Sequence, residues 1–237
     1  MSRPPPALEV ARVSSGYGEA LVIRDIELAL EPGEIFAILG KNGMGKTTLL
    51  KTIMGFLAAR GGAIRVFGEE ITGLPPYRIA RKAIAYSPQE QALFQDLSVV
   101  DNLRLGLADE RLLEDGLERV GRFFPFLLER RRQRAGTLSG GEQKMLLVAR
   151  ALMSRPRLML VDEITEGLQP SVIQKVADVL RAERTASNVA VLLIEQNVRF
   201  ALAVADRYAV LKRGEIVDSG RIGDPDAEAR IDEHLSM

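Results

Sequence analysis

The sequence predicts an α/β fold built on a largely parallel β-sheet, with an inserted helical region. Segments that form strand-like apolar runs alternate with segments of helical spacing, which is the order found in βαβ units. Two apolar runs, residues 35–39 and 158–161, contain no polar residue, as expected of strands that helices cover on both faces. Residues from about 90 to 137 combine helical spacing with many charges, so we expect a helical insertion there.

The individual elements follow from these patterns in chain order. Short apolar runs predict strands at residues 8–13, 35–39, 63–67, 83–86, 158–162, 189–194 and 208–211. Helical spacing predicts helices at residues 46–57, 76–82, 142–153, 171–183 and 198–204. Residues 211–216 predict a hairpin turn between two short strands. We expect a disordered, proline-rich leader over residues 1–7 and an acidic helical tail over residues 224–237.

The composition limits the chemistry that the chain can perform. Its 237 residues and 26.0 kDa fit one domain with an inserted subdomain. The absence of cysteine excludes disulfides, thiolate metal sites and a cysteine nucleophile. The single histidine, His234, argues against a multi-histidine metal site or a Ser-His-Asp triad. Basic and acidic residues balance at 32 each and aromatic residues make up 5%, so we expect no nucleic-acid partner.

No segment of the sequence is apolar enough to span a bilayer. The longest apolar runs, such as residues 189–194, have six residues, whereas a spanning helix needs roughly 20. The N-terminal residues also lack the apolar stretch of a secretory signal. We therefore expect a cytoplasmic protein.

Residues 40–47 match the phosphate-binding pattern G-x-x-x-x-G-K-[ST] in full. They follow the predicted strand at 35–39 and open the predicted helix at 46–57, which is the context that this pattern requires. Glycines let backbone N–H groups turn inward around phosphate oxygens, and the helix start adds partial positive charge. Lys46 is expected to reach the β- and γ-phosphates of a nucleotide, and the Thr47 hydroxyl to bind Mg²⁺. The expected nucleotide contacts here are Gly40, Asn42, Gly43, Gly45, Lys46, Thr47 and Thr48.

Two acids follow the apolar run at residues 158–161. Strand ends in open α/β sheets are where ligands bind. Asp162 is expected to hold Mg²⁺ beside Thr47, and Glu163 to orient or deprotonate the attacking water. Taken alone, such a pair is most often a solvated turn, but the phosphate-binding pattern in the same chain favours the functional interpretation.

Residues 138–143, Leu-Ser-Gly-Gly-Glu-Gln, precede a segment with helical apolar spacing. Ser139 and Glu142 stand three residues apart, as in a capping box, so a simple interpretation is a well-capped helix. That interpretation leaves Gly140 and Gly141 unexplained, because two glycines weaken a helix start unless the backbone must approach something closely. An exposed helix start can also serve as a second anion site.

This six-residue segment, placed between the phosphate-binding loop and the acidic strand end, resembles the signature motif of ABC (ATP-binding cassette) ATPases. The resemblance covers residues from about 8 to 220. It implies a P-loop NTPase core with a mostly parallel sheet, an antiparallel β subdomain, and an inserted helical subdomain that holds residues 90–137 and the signature helix. It also implies a head-to-tail pair of cassettes, in which Ser139, Gly140 and Gly141 contact the ATP held by the partner.

The resemblance also places other residues individually. Tyr17 resembles the aromatic residue that stacks on adenine, with an exposed turn tyrosine as the alternative. Gln89 resembles the glutamine that senses Mg²⁺ as a metal ligand and links the site to the helical subdomain, with a plain polar loop residue as the alternative. Residues 166–170 occupy the D-loop, the segment that lines the contact between cassettes.

Three positions depart from the general pattern of the family. Ile164 replaces a proline, and Gln169 replaces the D-loop aspartate. Gln196 stands where the family has a histidine, and a glutamine donates hydrogen bonds but carries no charge or transferable proton. Either Glu163 acts as the base with Gln196 as a neutral sensor, or the site turns over slowly. The expected catalytic residues are Lys46, Glu163 and Gln196.

These departures are similar to those of one subgroup, the cassettes of importers for branched-chain amino acids and for urea or amides. The similarity rests on residues 165–170 and 195–197, and residues 50–55 and 71–76 also fit. It implies an ATPase subunit that uses ATP and Mg²⁺ on the inner face of the cell membrane. The implied partners are a second cassette in a homo- or heterodimer, membrane permease subunits and, indirectly, a solute-binding protein.

The sequence is also compatible with two other functions. One is a soluble ABC ATPase that acts on DNA or ribosomes, and the other is a module that binds ATP with weak hydrolysis. Four phenylalanines in the insertion are candidates for a groove that receives a helix of a membrane subunit, with core packing as the alternative. They are Phe94, Phe123, Phe124 and Phe126.

Overall fold

The computed structural model describes residues 4–89 and 93–236. The strands are β1 (Leu8–Tyr17), β2 (Ala20–Leu30), β3 (Ile35–Leu39), β4 (Gly61–Val66), β5 (Glu69–Glu70), β6 (Ile84–Ser87), β7 (Leu158–Asp162), β8 (Ala190–Glu195), β9 (Arg207–Lys212) and β10 (Glu215–Arg221). The helices are α1 (Lys46–Ile53), α2 (Pro76–Ala80), α3 (Val99–Arg104), α4 (Leu113–Phe123), α5 (Pro125–Glu129), α6 (Gly140–Met153), α7 (Pro170–Ser187), α8 (Val198–Val204) and α9 (Ala227–Ser236). The strands form a six-stranded sheet and a four-stranded sheet, so the predicted α/β class is confirmed.

The six-stranded sheet is parallel except at one edge. β8 pairs in parallel with both β3 and β7, and β9 and β6 extend the parallel part on either side. β10 is antiparallel to β9 and follows it through the hairpin turn predicted at residues 211–216. Every residue of β3, β7 and β8 is buried. The expectation that these strands are covered on both faces is therefore confirmed.

The two faces of this sheet are covered by different layers. Met159 and Val161 of β7 pack into a cluster with residues of α6 and α7, whereas Leu158 and Leu160 pack into a cluster with residues of α1, β1 and β2. One face therefore packs against α6 and α7, and the other packs against α1 and the antiparallel sheet. The carboxyl ends of β3, β7 and β8 reach the same edge, where the phosphate-binding loop and the two acids lie.

β2 is the largest element that the sequence prediction missed. It pairs antiparallel with β1, and the four-stranded sheet has the order β2-β1-β4-β5. Charged residues such as Arg24 and Glu27 alternate with buried ones, so β2 offers no continuous apolar run. Asp25 also has a φ of 45°, which bends the strand next to a shift in register.

The ends of several elements differ from their predictions. α1 ends at Ile53 rather than residue 57, because Gly55 turns the chain with a φ of 73°. Ala7, which was expected in the disordered leader, is fully buried, and its N–H donates to the Leu30 carbonyl at 2.8 Å. Residues 1–3 of the leader and residues 90–92 of the insertion lie outside the described residues. The tail forms the expected helix, α9.

The inserted region contains α3, α4 and α5 and packs against α6. Phe124 is fully buried in this packing, which favours core packing over a groove for that residue. Across the residues that the structure describes, no helix is both long and apolar enough to cross a membrane.

Candidate nucleotide site

The phosphate-binding loop connects β3 to α1 and has the backbone conformation that its glycines permit. Gly43 and Gly45 have φ values of 79° and 104°, in the region that favours glycine. A Cβ atom on Gly45 would lie 2.8 Å from a methyl carbon of Ile23, so a larger residue would also clash. Gly45 is the N-cap of α1 and no side chain caps this helix, so its first N–H groups suit an anion.

The hairpin turn between β9 and β10 is hydrogen-bonded to the phosphate-binding loop. The Gly214 N–H donates to the Met44 carbonyl at 3.1 Å, and the Gly214 carbonyl accepts from the Arg24 N–H at 2.8 Å. The turn therefore joins the loop to β2. Gly214 has a φ of 85°, and a Cβ atom there would lie 2.0 Å from the Val22 carbonyl oxygen.

We expect Gly214→Ala to lower the free energy of unfolding by about 2–4 kcal/mol, because backbone strain and a steric clash act together. Gly73→Ala is the matched control, since Gly73 has a similar φ of 72° but no atom within 4 Å of the added Cβ. The free energy of unfolding of the control should fall only by the cost of backbone strain, about 1–2 kcal/mol. Urea denaturation measures the free energy of unfolding of both variants. Equal losses of stability would show that the clash with the Val22 carbonyl adds no cost.

Lys46 lies across the loop and is almost fully buried. Its Nζ donates to the carbonyls of Gly40 and Lys41 at 2.7 and 2.9 Å. The same Nζ lies 2.8 Å from Oε1 of Glu163, and both side chains are only 4% exposed. The structure thus brings the loop lysine and the second acid of the strand end into direct contact.

Asp162 is fully buried at the end of β7, beside the first turn of α1. The Thr47 hydroxyl donates to its Oδ1 at 3.4 Å, and the Tyr86 hydroxyl lies 3.5 Å from Oδ2. Burial raises the pKa of Asp162 to about 6, and the charge of Glu163 adds to this increase, while the hydrogen bond from Thr47 opposes it. A hydroxyl and a carboxylate are oxygen donors of the kind that Mg²⁺ takes in proteins, so these two residues fit the predicted metal.

Glu163 is held by contacts on several sides. It has a φ of 46°, which is strained for a residue with a side chain, and its N–H donates to the Ile194 carbonyl of β8 at 2.9 Å. Its Oε2 accepts from Nε2 of Gln89 at 2.8 Å and from Nε2 of Gln196 at 3.2 Å. The carboxylate therefore lies between the loop lysine and two amides.

The two glutamines extend this network outward. Nε2 of Gln196 also donates to Oδ1 of Asn42 in the loop at 2.6 Å. Nε2 of Gln89 also donates to Oε2 of Glu166 at 2.8 Å, and the Gln89 carbonyl accepts from Nζ of Lys144 at 2.7 Å. Lys144 belongs to α6, so Gln89 physically connects the acids to that helix. Its expected role as a metal ligand stays a prediction.

Comparison with known proteins identifies the family. Residues 23–166 match the sequence profile of the family described as ABC transporter. The chain belongs to this family. It is an ABC ATPase, the ATP-binding subunit of a transporter.

Two curated relatives and one solved structure illustrate this likeness. The chain is 43% identical to the high-affinity branched-chain amino acid transport ATP-binding protein BraG of Pseudomonas aeruginosa, over 89% of this chain and 91% of that protein. It is 33% identical to the lipopolysaccharide export system ATP-binding protein LptB of Escherichia coli K12, over 96% of this chain and 94% of that protein. The ADP conformation of MJ1267, an ATP-binding cassette of an ABC transporter, matches with a TM-score of 0.84 at 25% identity, over 98% of this chain and 95% of that one.

The loop of this ABC cassette opens onto a cleft of about 370 Å³. The cleft is lined by Val22, Asn42, Gly43, Gly45, Lys46, Thr47, Thr48, Gln89 and Glu163. Of the other predicted contacts, Gly40 is outside this lining and packs closely against β9, because a Cβ atom there would lie 2.6 Å from the Leu211 carbonyl oxygen. Tyr17 lies at the end of β1, 48% exposed and outside this lining, so adenine stacking stays a prediction for it.

The signature residues of the cassette are not part of this lining. Ser139 caps α6, its hydroxyl accepting from the Glu142 N–H at 3.3 Å while Oε2 of Glu142 accepts from the Ser139 N–H at 2.9 Å. The predicted capping box is thus confirmed. Ser139 and Gly140 are exposed, and nothing lies within 4 Å of a Cβ built on Gly140. Gly141 instead contacts Val172 of α7 closely, at 3.3 Å from such a Cβ.

Several residues of the site are not predicted by the sequence patterns. Val22 was missed because β2 was not predicted. Glu166 stood inside the predicted D-loop, and its three-residue distance from Glu163 was the available signal. Glu195 and Lys144 reach the site through tertiary contacts alone.

A second cleft of about 360 Å³ beside the first is lined by Asn42, Glu163, Thr165, Glu166, Glu195, Gln196 and Asn197.

Proposed function

We propose that this chain powers the import of branched-chain amino acids, or of a related small solute such as urea or an amide. The observation that carries the proposal is the 43% identity to BraG over 89% of this chain. The segments at 165–170 and 195–197 support the same subgroup. LptB of the lipopolysaccharide export system is also similar, at 33% identity, so relatives of this chain serve different transported substances. The identity of the solute is therefore what the experiment must determine.

The site supports hydrolysis of ATP with Mg²⁺. In this proposal Lys46 binds the β- and γ-phosphates, while Thr47 and Asp162 hold the metal, which when bound neutralises charge on the phosphates. Glu163 accepts the proton of the attacking water, and Gln89 and Gln196 orient its carboxylate through their amides at 2.8 and 3.2 Å. Gln196 acts as a neutral sensor, since its amide contacts both Glu163 and Asn42.

A second cassette completes the site in this proposal. Ser139 and Gly140, at the exposed start of α6, do not line the cleft of their own chain. These residues therefore suit the γ-phosphate held by a partner cassette in a head-to-tail homo- or heterodimer. The salt bridge between Arg130 and Glu142, at 2.8 Å, stabilises this helix start.

A groove beside the insertion suits a helix of a membrane permease. It has a volume of about 720 Å³ and lies between α2 and β6 on one side and α6 and the segment at residues 105–108, which follows α3, on the other. Tyr77, Phe94 and Leu105 on its lining are 60%, 59% and 54% exposed. Large exposed apolar residues that share one groove are typical of a protein interface. Such docking places the cassette on the cytoplasmic, inner face of the cell membrane, with a solute-binding protein acting indirectly through the permease.

A transport assay tests this proposal. A host that lacks the gene for this chain should lose uptake of one labelled solute among leucine, urea and acetamide, and the wild-type gene should restore it while Lys46→Ala should not. Unchanged uptake of all three solutes would contradict the proposal. Copurification of the tagged chain with nucleic acid or ribosomes instead of membrane subunits would favour the soluble alternative.

The groove makes a separate prediction. We expect Leu105→Asp to reduce solute uptake about tenfold or more, because a buried unpaired charge costs several kcal/mol at an apolar interface. Basal ATPase activity of the purified chain should stay unchanged, since Leu105 lies outside the nucleotide cleft. Leu112→Asp is the control, because Leu112 is 44% exposed and outside the groove lining. Normal uptake with Leu105→Asp would argue against docking there.

A further inference from the structure

Glu195, the last residue of β8, is a buried carboxylate to which neither the motifs nor the proposed reaction assign a role. It is 2% exposed, and each of its two oxygens accepts a hydrogen bond from Thr165. Oε1 accepts from the Thr165 N–H at 3.1 Å, and Oε2 accepts from the Thr165 hydroxyl at 2.8 Å. Oε2 also accepts from the Asn197 N–H, at a longer 3.5 Å. Thr165 is itself 5% exposed. A carboxylate that uses both oxygens on one residue fixes the position and the orientation of that residue.

The position of this pair in the fold gives it a consequence. Thr165 follows Glu163 by two residues and directly precedes Glu166, while Glu195 directly precedes Gln196. Asp162 and Ile194 are register partners in the parallel pairing of β7 and β8, so the two segments leave neighbouring strand ends. The pair of Glu195 and Thr165 therefore joins the segment that carries the second acid to the segment that carries Gln196.

The joined segments need such a restraint. Glu163 has a strained φ of 46°, and strained backbone persists only where surrounding contacts over-determine it. The hydrogen bond from Gln196 to Glu163 is 3.2 Å long, so a small relative movement of the two segments would break it. Burial raises the pKa of Glu195, while the hydrogen bonds from Thr165 oppose this rise, so the contact with Thr165 offsets the cost of burying the carboxylate.

We propose that Glu195 is a positioning residue for ATP hydrolysis, which holds Thr165 so that Glu163 and Gln196 keep their mutual geometry. It acts through Thr165 and contacts no reacting atom. The inference rests on the proposed role of Glu163 as the base. It requires the carboxylate form, because a glutamine of the same shape would turn an N–H₂ group toward one of the two donors of Thr165.

The first test is the turnover of Glu195→Gln in the purified full-length chain. We expect kcat for ATP to fall by about 10²-fold, because a displacement of about 1 Å in a catalytic group has an effect of that size. The KM for ATP and the affinity for a fluorescent ADP should stay within about twofold, since Glu195 lies outside the lining of the phosphate cleft. A kcat equal to that of the wild type would overturn the inference.

Variants of Thr165 separate positioning from folding. Thr165→Val removes the hydroxyl donor and should lower kcat with unchanged KM, whereas Thr165→Ser keeps the donor and should retain most of the activity. Because both residues act through one contact, Glu195→Gln combined with Thr165→Val should be no slower than Glu195→Gln alone. If Glu195→Gln does not fold, the contrast between Thr165→Val and Thr165→Ser decides, and equal rates for those two would overturn the inference.

Glu183→Gln is the matched control. Glu183 is also a buried carboxylate, 4% exposed, but it pairs with Arg119 at 3.1 Å away from the nucleotide cleft. It should lose stability and keep kcat, and a matching loss of kcat in Glu183→Gln would overturn the positioning role. Glu163→Gln distinguishes failure of the proposed base from failure of the positioning role. If Glu163→Gln retains turnover, the proposed base is wrong. If Glu163→Gln loses turnover while Glu195→Gln does not, only the positioning inference fails.

Discussion

Lys46→Ala is expected to abolish detectable nucleotide binding. The lysine Nζ donates to two carbonyls of the phosphate-binding loop and pairs with Glu163, so it determines both the conformation and the charge of this loop. Removing it deletes a charge-assisted contact to phosphate of about 1.5–3 kcal/mol and leaves a buried carboxylate facing the same anion. We therefore expect the dissociation constant for ATP and for ADP to rise by about 10²-fold or more, measured by titration calorimetry.

Lys41→Ala is the matched control for this variant. Lys41 lies in the same loop and is exposed, and its backbone carbonyl, which the substitution keeps, is the group that accepts from Lys46. Removing the Lys41 side chain should therefore change the affinity for ATP and ADP by less than about threefold, the size expected of an exposed charge. Circular dichroism must show that Lys46→Ala is folded. Wild-type affinity in a folded Lys46→Ala chain would refute the assignment of the loop.

The phosphate-binding loop and the strand ends could be predicted because their signals are local. The loop needs glycines at fixed spacing between a buried strand and a helix, and residues 40–47 carry that requirement in eight consecutive positions. The buried strand β3 contains no polar residue, and β7 and β8 have one only at their last positions, so these strands too can be predicted from the sequence. The capping box of Ser139 and Glu142 is equally local.

The parts that could not be predicted depend on contacts across the fold. β2 has polar residues on its outer face and a bend at Asp25, so only its pairing with β1 identifies it as a strand. Glu195 and Thr165 are 30 positions apart and meet only because β7 and β8 are neighbours in register. The role of Ser139 and Gly140 depends on a second chain, and one chain alone cannot display it.

Glu163→Gln is expected to remove nearly all ATP turnover while the nucleotide still binds. In the proposed mechanism this carboxylate accepts the proton of the attacking water, and an amide cannot do so. General base catalysis typically contributes 10²–10⁴-fold, so kcat should fall by about that factor. The affinity for ATP should hold or increase, because the substitution removes a negative charge 2.8 Å from Nζ of Lys46. Phosphate release and equilibrium binding of ATP measure the two effects separately.

Glu166→Gln tests whether the loss belongs to the base or to any acid nearby. Nε2 of Gln89 donates to Glu163 and to Glu166 at the same distance, 2.8 Å, but it is Glu163 that pairs with Lys46. Glu166→Gln should therefore lower kcat by less than about tenfold, the size of one lost hydrogen bond. If Glu163→Gln kept the wild-type rate, another group would have to be the base. If instead the wild-type rate were already as low as that of Glu163→Gln, the neutral Gln196 would mark a cassette that binds ATP with weak hydrolysis.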